Sequence, residues 1–180
     1  MTQGGNWVFG YGSLIWHPGF AFRDRVVATL EGYHRTFCMR SIHHRGTEDD
    51  PGLVLALDEA LDARCLGLAF EVEHKDWDGA LNYLRERELI SSAYVERNLH
   101  LTLADGREVP ALAYVIDAGH VQYCGGLPLE EQARIISQAV GGRGPNTEYL
   151  FNTTENLAEL GIDDPDMQWL SQRVRELIGA

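Results

Sequence analysis

The sequence predicts an α+β fold whose sheet is largely antiparallel or mixed and able to curl into a barrel. Three observations carry that expectation. Several strand-like segments come first, then one helix, then a hairpin, then only helices. Two of the early runs are apolar almost throughout, which suits strands buried on both faces. The chain has 180 residues with no internal repeat, low-complexity tract or Pro/Ser-rich linker, so a single domain over residues 1–180 is expected.

Trp7-Val8-Phe9 reads as a short strand ending in Gly10-Tyr11-Gly12-Ser13. Residues 25–39 are rich in β-branched and aromatic side chains and read as one or two strands. Residues 40–51 are polar, contain Gly and Pro, and read as a loop. Residues 52–57 and 65–72 read as two further strands. Residues 75–90 switch to helical period. Strands follow at 94–103 and 108–116, joined by Ala104-Asp105-Gly106, where Asp-Gly is a hairpin signal. Helices are expected over 128–141, 146–160 and 165–178, with Asn146 and Asp164 as N-caps and Pro165 at a first helical position.

Composition narrows the function. A chain of this length buries roughly 70% of its unfolded surface and needs neither metal nor disulfides to fold. With 15 Lys+Arg against 27 Asp+Glu the formal charge is −12, which argues against a nucleic-acid binder. Any anion site has to be built locally, from backbone N–H groups or a few arginines. Cys38, Cys65 and Cys124 are odd in number and form no CxxC pair, so reduced thiols are expected. The first residues lack the basic start and long apolar run of a signal peptide, and no stretch reaches the roughly 20 apolar residues of a membrane span. A cytoplasmic protein without membrane partners is the expectation.

The helix over 75–90 holds the most informative residue. At about 100° per residue, Trp77, Leu81 and Leu84 form one stripe, and Glu88 lies about 20° from Trp77. Glu86 lies about 180° away, on the face expected to meet water. A helix that buries this stripe therefore turns Glu88 inward. Burial and the nearby helix C-terminus both disfavour the anion and push such a carboxyl upward, toward a general base useful near neutral pH. Two plainer readings stay open: Glu88 pairs with Arg85 or Arg87, or the helix ends early and exposes it.

The turn Gly10-Tyr11-Gly12-Ser13-Leu14-Ile15-Trp16 follows a strand. Its glycines allow close approach of a ligand, and successive N–H groups can cradle a carboxylate or oxyanion; a plain tight turn is the alternative. It is no dinucleotide fingerprint, because Ile15 stands where the third glycine is needed, and GK[ST] is absent. It is no nucleophile elbow either, because Tyr11 and Ile15 stand where Ser13 would need glycines. Ser13 reads as a turn or hydrogen-bonding residue. His43-His44-Arg45-Gly46 can bind a substrate carboxylate or form a solvated loop. No partner has zinc-like spacing, so no metal is expected. Tyr149 can face the core or a site. Cys65 reads as a small buried residue.

Taken together, these segments resemble the ChaC-type γ-glutamylcyclotransferases. The resemblance rests on Phe9-Gly10-Tyr11-Gly12-Ser13-Leu14-Ile15-Trp16, His44-Arg45-Gly46, Pro51-Gly52-Leu53-Val54, Arg87-Glu88, Ala113-Tyr114-Val115 and Asn146-Thr147-Glu148-Tyr149-Leu150. The YGSL turn is shared with wider cyclotransferase relatives; the full order of motifs is specific to the ChaC type. The resemblance implies a γ-glutamylcyclotransferase-like small mixed β-barrel with packed helices, and cleavage of glutathione to 5-oxoproline and cysteinylglycine without a cofactor. It implies Glu88 as the catalytic glutamate, Tyr11, Gly12, Ser13 and Leu14 as the substrate-binding turn, and Tyr149 as a substrate-binding tyrosine. Arg45 is the candidate for the glycine end of glutathione. Two alternatives remain: a cyclotransferase for other γ-glutamyl amino acids or amines, and a non-catalytic regulator of cation transport, a label the family also carries.

Overall fold

A strand that is apolar along its length must be covered on both faces, and the first strand is placed accordingly. The computed structural model describes residues 6–89 and 92–179. In it, β1 (Asn6–Gly10) runs antiparallel to β3 (Gly52–Val72) and parallel to β5 (Glu108–Ile116). With β2 (Asp24–Ser41) and β4 (Tyr94–Leu103) these strands close a barrel in the order β1-β3-β2-β4-β5. One parallel pairing among antiparallel ones makes the barrel mixed, as expected. Val8, Phe9, Leu68, Phe70, Leu101 and Ala113 are among its buried residues.

Chain contacts group into two compact units, Met1–Arg35 with Leu57–His120, and Thr36–Ala56 with Val121–Ala180. The first holds β1, β4, β5, the short helix α1 (Ser13–Trp16) and α2 (His74–Glu88). The β4–β5 hairpin turns through Asp105 and Gly106, the glycine taking the left-handed φ of +94°. The second unit holds α3 (Leu129–Gln138), α4 (Asn146–Glu159) and α5 (Pro165–Ile178), which pack on one another and bury Ile136, Leu150, Leu157, Leu170 and Val174. Asp164 caps α5 as expected, its carboxylate accepting from Met167 N at 3.2 Å.

Four boundaries differ from the sequence reading. The expected pair of strands at 52–57 and 65–72 is one strand, β3; the intervening residues 58–64 are exposed or half-buried, yet the backbone stays extended through them apart from a left-handed Asp62. The expected helix over 128–141 stops at Gln138, because Val140–Gly141 (β6) pairs with Gly144–Pro145 (β7). Asn146 does not cap α4 but begins it, its side chain being engaged elsewhere. α2 ends at Glu88 with Leu89 as its cap; Ile90, also expected to be helical, lies outside the described residues. Among the described residues no helix is long and apolar enough to cross a membrane.

Candidate active site

The glycine turn is anchored from below by a buried cation. β1 ends at Gly10, where a Cβ would meet the Phe70 ring at 2.9 Å. Tyr11 follows, buried, its ring 6.4 Å from that of Phe9. Its carbonyl accepts from the Arg35 guanidinium at 3.0 Å, and the same nitrogen donates to Leu66 O at 2.8 Å. Gly12 then leads into α1, its carbonyl accepting from Ile15 N at 2.9 Å, with Leu14 and Ile15 buried. Arg35 was not singled out by the sequence reading. In β2 the buried positions are Ala28 and Leu30 before the left-handed Gly32 (φ +85°), and Arg35, Phe37, Cys38, Met39 and Ser41 beyond it, so the burial of Arg35 does not follow the alternation of the first half.

The second part is the end of α2. Its buried residues are Ala80 and Leu84, while Trp77 and Leu81 are half-buried. The stripe is therefore rotated slightly from the one read in sequence, but Glu88 still follows Leu84 by one turn and points inward. Its side chain is only 15% exposed, whereas Glu86 is exposed. Glu88 is also paired: Arg87 Nε lies 3.6 Å from its Oε1. Arg85, the other candidate partner, instead clamps Glu96 with its Nε and Nη2, at 3.0 and 3.1 Å.

Arg87 joins the two parts. It donates to Ser13 Oγ at 2.7 Å, to the Tyr83 hydroxyl at 3.1 Å, to Pro18 O at 3.3 Å and to His17 O. Beside this contact Gly19 takes φ +76°, and a Cβ there would overlap the Tyr83 hydroxyl. One arginine thus ties the turn and α1 to the helix that carries Glu88. Ser13 serves as a hydrogen-bonding residue, as its sequence context suggested.

Tyr114 of β5 is 2% exposed, and its hydroxyl donates to Glu96 Oε1 at 2.8 Å. Glu96 and Tyr114 are directly opposed across β4 and β5. The Arg85 guanidinium holds Glu96 below the usual carboxylate range. Burial, the bond to Glu96 and the charges of Glu96 and Glu88 hold the Tyr114 hydroxyl well above the ordinary tyrosine value. Neither Glu96 nor Tyr114 was assigned a role from sequence.

In the second unit, Arg45 is 5% exposed although its loop reads as polar; His43 and His44 are exposed. Arg45 donates to Pro145 O at 3.0 Å, approaches Glu148 Oε1 at 3.4 Å, and sits 5.8 Å over the Tyr149 ring. Tyr149 is buried, edge-on to Phe37, its hydroxyl accepting from Leu55 N at 3.2 Å. Asn146 accepts from Leu53 N at 2.7 Å and donates to Leu53 O at 2.8 Å.

Chemically, the first unit offers a sheltered carboxylate beside a glycine turn, which suits proton transfer better than covalent catalysis. Ser13 Oγ faces a guanidinium, not a base.

Comparison with known proteins gives a consistent result. The family model described as ChaC-like protein matches residues 6–177. The glutathione-specific γ-glutamylcyclotransferase of Escherichia coli is 36% identical over 176 residues, 98% of this chain and 75% of that protein. The γ-glutamylcyclotransferase 2-3 of Arabidopsis thaliana is 35% identical over 178 residues, 96% of this chain and 89% of its own. A crystal structure of a yeast γ-glutamylcyclotransferase specific to glutathione superimposes with a TM-score of 0.86 over 97% of both chains at 22% identity, and at that identity the match bears on the fold. The expected cyclotransferase-type barrel is the fold observed.

Proposed function

The chain belongs to the ChaC-like family, and from that premise we propose that it is a glutathione-specific γ-glutamylcyclotransferase with Glu88 as its general acid/base. Two things support the reading: relatives at about a third identity are named γ-glutamylcyclotransferases, the Escherichia coli one glutathione-specific, and the half-sheltered Glu88 is tied through Arg87 to the glycine turn. The second is the observation that carries the mechanism.

Glutathione contains its own nucleophile. The α-amine of the γ-glutamyl group attacks the γ-carbonyl carbon, a five-membered ring closes, and the bond to the cysteine nitrogen breaks. The products are 5-oxoproline and cysteinylglycine. Near neutral pH the amine is mostly an ammonium and cannot attack. Glu88 takes one proton from the ammonium and delivers it to the departing nitrogen. The attacking nitrogen gives up a second proton as the lactam forms, and the released amine takes up one in turn, so that it leaves as an ammonium. Because the reacting groups are tethered, the remaining task is to hold the glutamyl chain in a ring-closing pose. The turn Tyr11-Gly12-Ser13-Leu14 supplies backbone N–H groups for the glutamyl carboxylate or the developing oxyanion. Arg35 and Arg87 hold that turn in place from two sides. The reaction requires no cofactor or metal. We place it in the cytoplasm, where glutathione is abundant and thiols stay reduced.

Purified protein incubated with glutathione and with γ-glutamyl-alanine, with release of 5-oxoproline measured from each, tests the proposal. Turnover of glutathione with little of γ-glutamyl-alanine is expected. Comparable turnover of both makes the enzyme a general γ-glutamyl cyclotransferase, and turnover of neither leaves the regulatory reading. Glu88→Gln should keep the fold, since the amide fills the same space, and lose about 10³-fold in kcat, because an amide cannot accept the proton. Near-normal release by that variant removes Glu88 from the mechanism.

A further inference from the structure

Arg87 is a sheltered cation, its side chain 10% exposed, and its nitrogens are not used alike. Nη1 is spent on the framework: it donates to His17 O, Pro18 O and the Tyr83 hydroxyl. The other edge carries Nε and Nη2. Nη2 donates to Ser13 Oγ at 2.7 Å, and Nε stands 3.6 Å from Glu88 Oε1, beyond hydrogen-bond length. Arg85, two residues earlier on α2, presents the same two nitrogens to the two oxygens of one carboxylate, that of Glu96. Arg87 presents them to oxygens of two residues, so the Ser13 hydroxyl and the Glu88 carboxylate flank one guanidinium edge.

A guanidinium has donors only. The Ser13 oxygen therefore accepts from Arg87, and its own proton points elsewhere; among the described residues Ser13 Oγ donates to none. One edge thus carries a hydroxyl with a proton to give beside a carboxylate that takes one. The α-carbon of a γ-glutamyl group carries the complement: a carboxylate that accepts hydrogen bonds and an ammonium that gives them.

We propose that Arg87 is a positioning residue that sets the direction of the Ser13 hydroxyl, committing its proton to the α-carboxylate of the γ-glutamyl group and leaving the α-ammonium to Glu88. The inference rests on the reading of Glu88 as the general base. The reversed pose is opposed by charge: an ammonium on Ser13 Oγ would face the guanidinium, and the carboxylate would meet Glu88. In the proposed pose opposite charges alternate around the edge. When the ammonium gives its proton to Glu88, the substrate carboxylate remains to balance Arg87, so the sheltered guanidinium keeps a counter-charge.

The test compares glutathione with γ-aminobutyryl-cysteinylglycine. That peptide has the same amine, γ-carbonyl and leaving group, but a hydrogen in place of the α-carboxylate, and its ring closure gives 2-pyrrolidinone. Release of cysteinylglycine is read from both as kcat/KM. Ser13→Ala should lower the value for glutathione about 30-fold, mostly through KM, as loss of a charge-assisted hydrogen bond does, and the value for the analogue less than about three-fold. Arg87→Gln offers the Ser13 proton an amide oxygen, so the preference for glutathione should fall there too. In the double variant the preference should match that of the single variants, not the product of their effects. An equal loss on both peptides in Ser13→Ala overturns the proposal. So does a preference kept in Arg87→Gln, the result a merely structural arginine gives, and so do losses of preference that multiply. If Arg87→Gln does not fold, judged by its thermal midpoint, Arg87→Lys makes the same comparison, because it keeps the charge and lacks the planar edge. If the analogue turns over too slowly, its inhibition constant against glutathione takes the place of kcat/KM. Failure of the underlying reading looks different: the wild type would release cysteinylglycine from neither peptide, or Glu88→Gln would remain active.

Discussion

Besides Arg35, which ends on main chain, the first unit shelters Arg87, and the second unit buries Arg45; these last two end on different things. Arg45 in the second unit reaches a main-chain carbonyl and an exposed glutamate. Its neighbours follow the same habit: Asn146 bonds both main-chain groups of Leu53, and the Tyr149 hydroxyl meets Leu55 N. Arg87 in the first unit reaches a serine hydroxyl, a tyrosine hydroxyl and a carboxylate as well as the main chain. Bonds that end on backbone fix a framework. Bonds that end on side chains with remaining donors, acceptors or protons hold chemistry in place. Both regions carry motifs of one family, so a motif residue alone does not say which of these it does; the far end of its hydrogen bonds does.

The largest test of this contrast is Asn146→Ala. The substitution leaves Leu53 N and Leu53 O without their described partner in a buried strand, and each orphaned group costs about 1–3 kcal/mol. The expected loss of stability is about 3 kcal/mol, read as a shift of the denaturation midpoint with unchanged slope. A loss under about 1 kcal/mol would mean that the framework is held mainly by other contacts.

Tyr149→Phe sharpens the comparison with a smaller effect. It removes one hydrogen bond to Leu55 N, worth about 1 kcal/mol of stability. The family resemblance assigns this tyrosine to substrate binding, so KM for glutathione should also rise several-fold at little change in kcat. A stability loss with unchanged KM would place Tyr149 wholly in the framework and leave Arg45 without its reason as a substrate contact.

The sequence made the barrel legible wherever apolar runs were continuous, and the helices wherever the period was strong. It concealed what depends on one residue's backbone. The polar middle of β3 breaks the apolar pattern without breaking the strand. β2 loses its simple alternation beyond the left-handed Gly32, so Arg35 looks like an outward residue and is not. Gly141 ends the α3 region by pairing as a strand, where a Cβ would overlap the main chain near Arg45. In the site, Glu88 was legible because helical phase is a property of one segment. The tie that Arg87 makes to the turn was not, because it depends on a residue 74 positions away in sequence.

The smallest expected effect is the strictest check on that phase. Glu86 and Glu88 share a helix, a charge and nearly the same distance from its C-terminus, so helix-wide electrostatics treats them alike. They differ in facing: Glu86 is exposed, whereas Glu88 is 15% exposed beside Arg87. Glu86→Gln should therefore leave kcat, KM and the thermal midpoint within error of wild type, as surface substitutions usually do. A loss of turnover approaching that of Glu88→Gln would mean that charge near the end of α2, rather than one inward carboxylate, drives proton transfer.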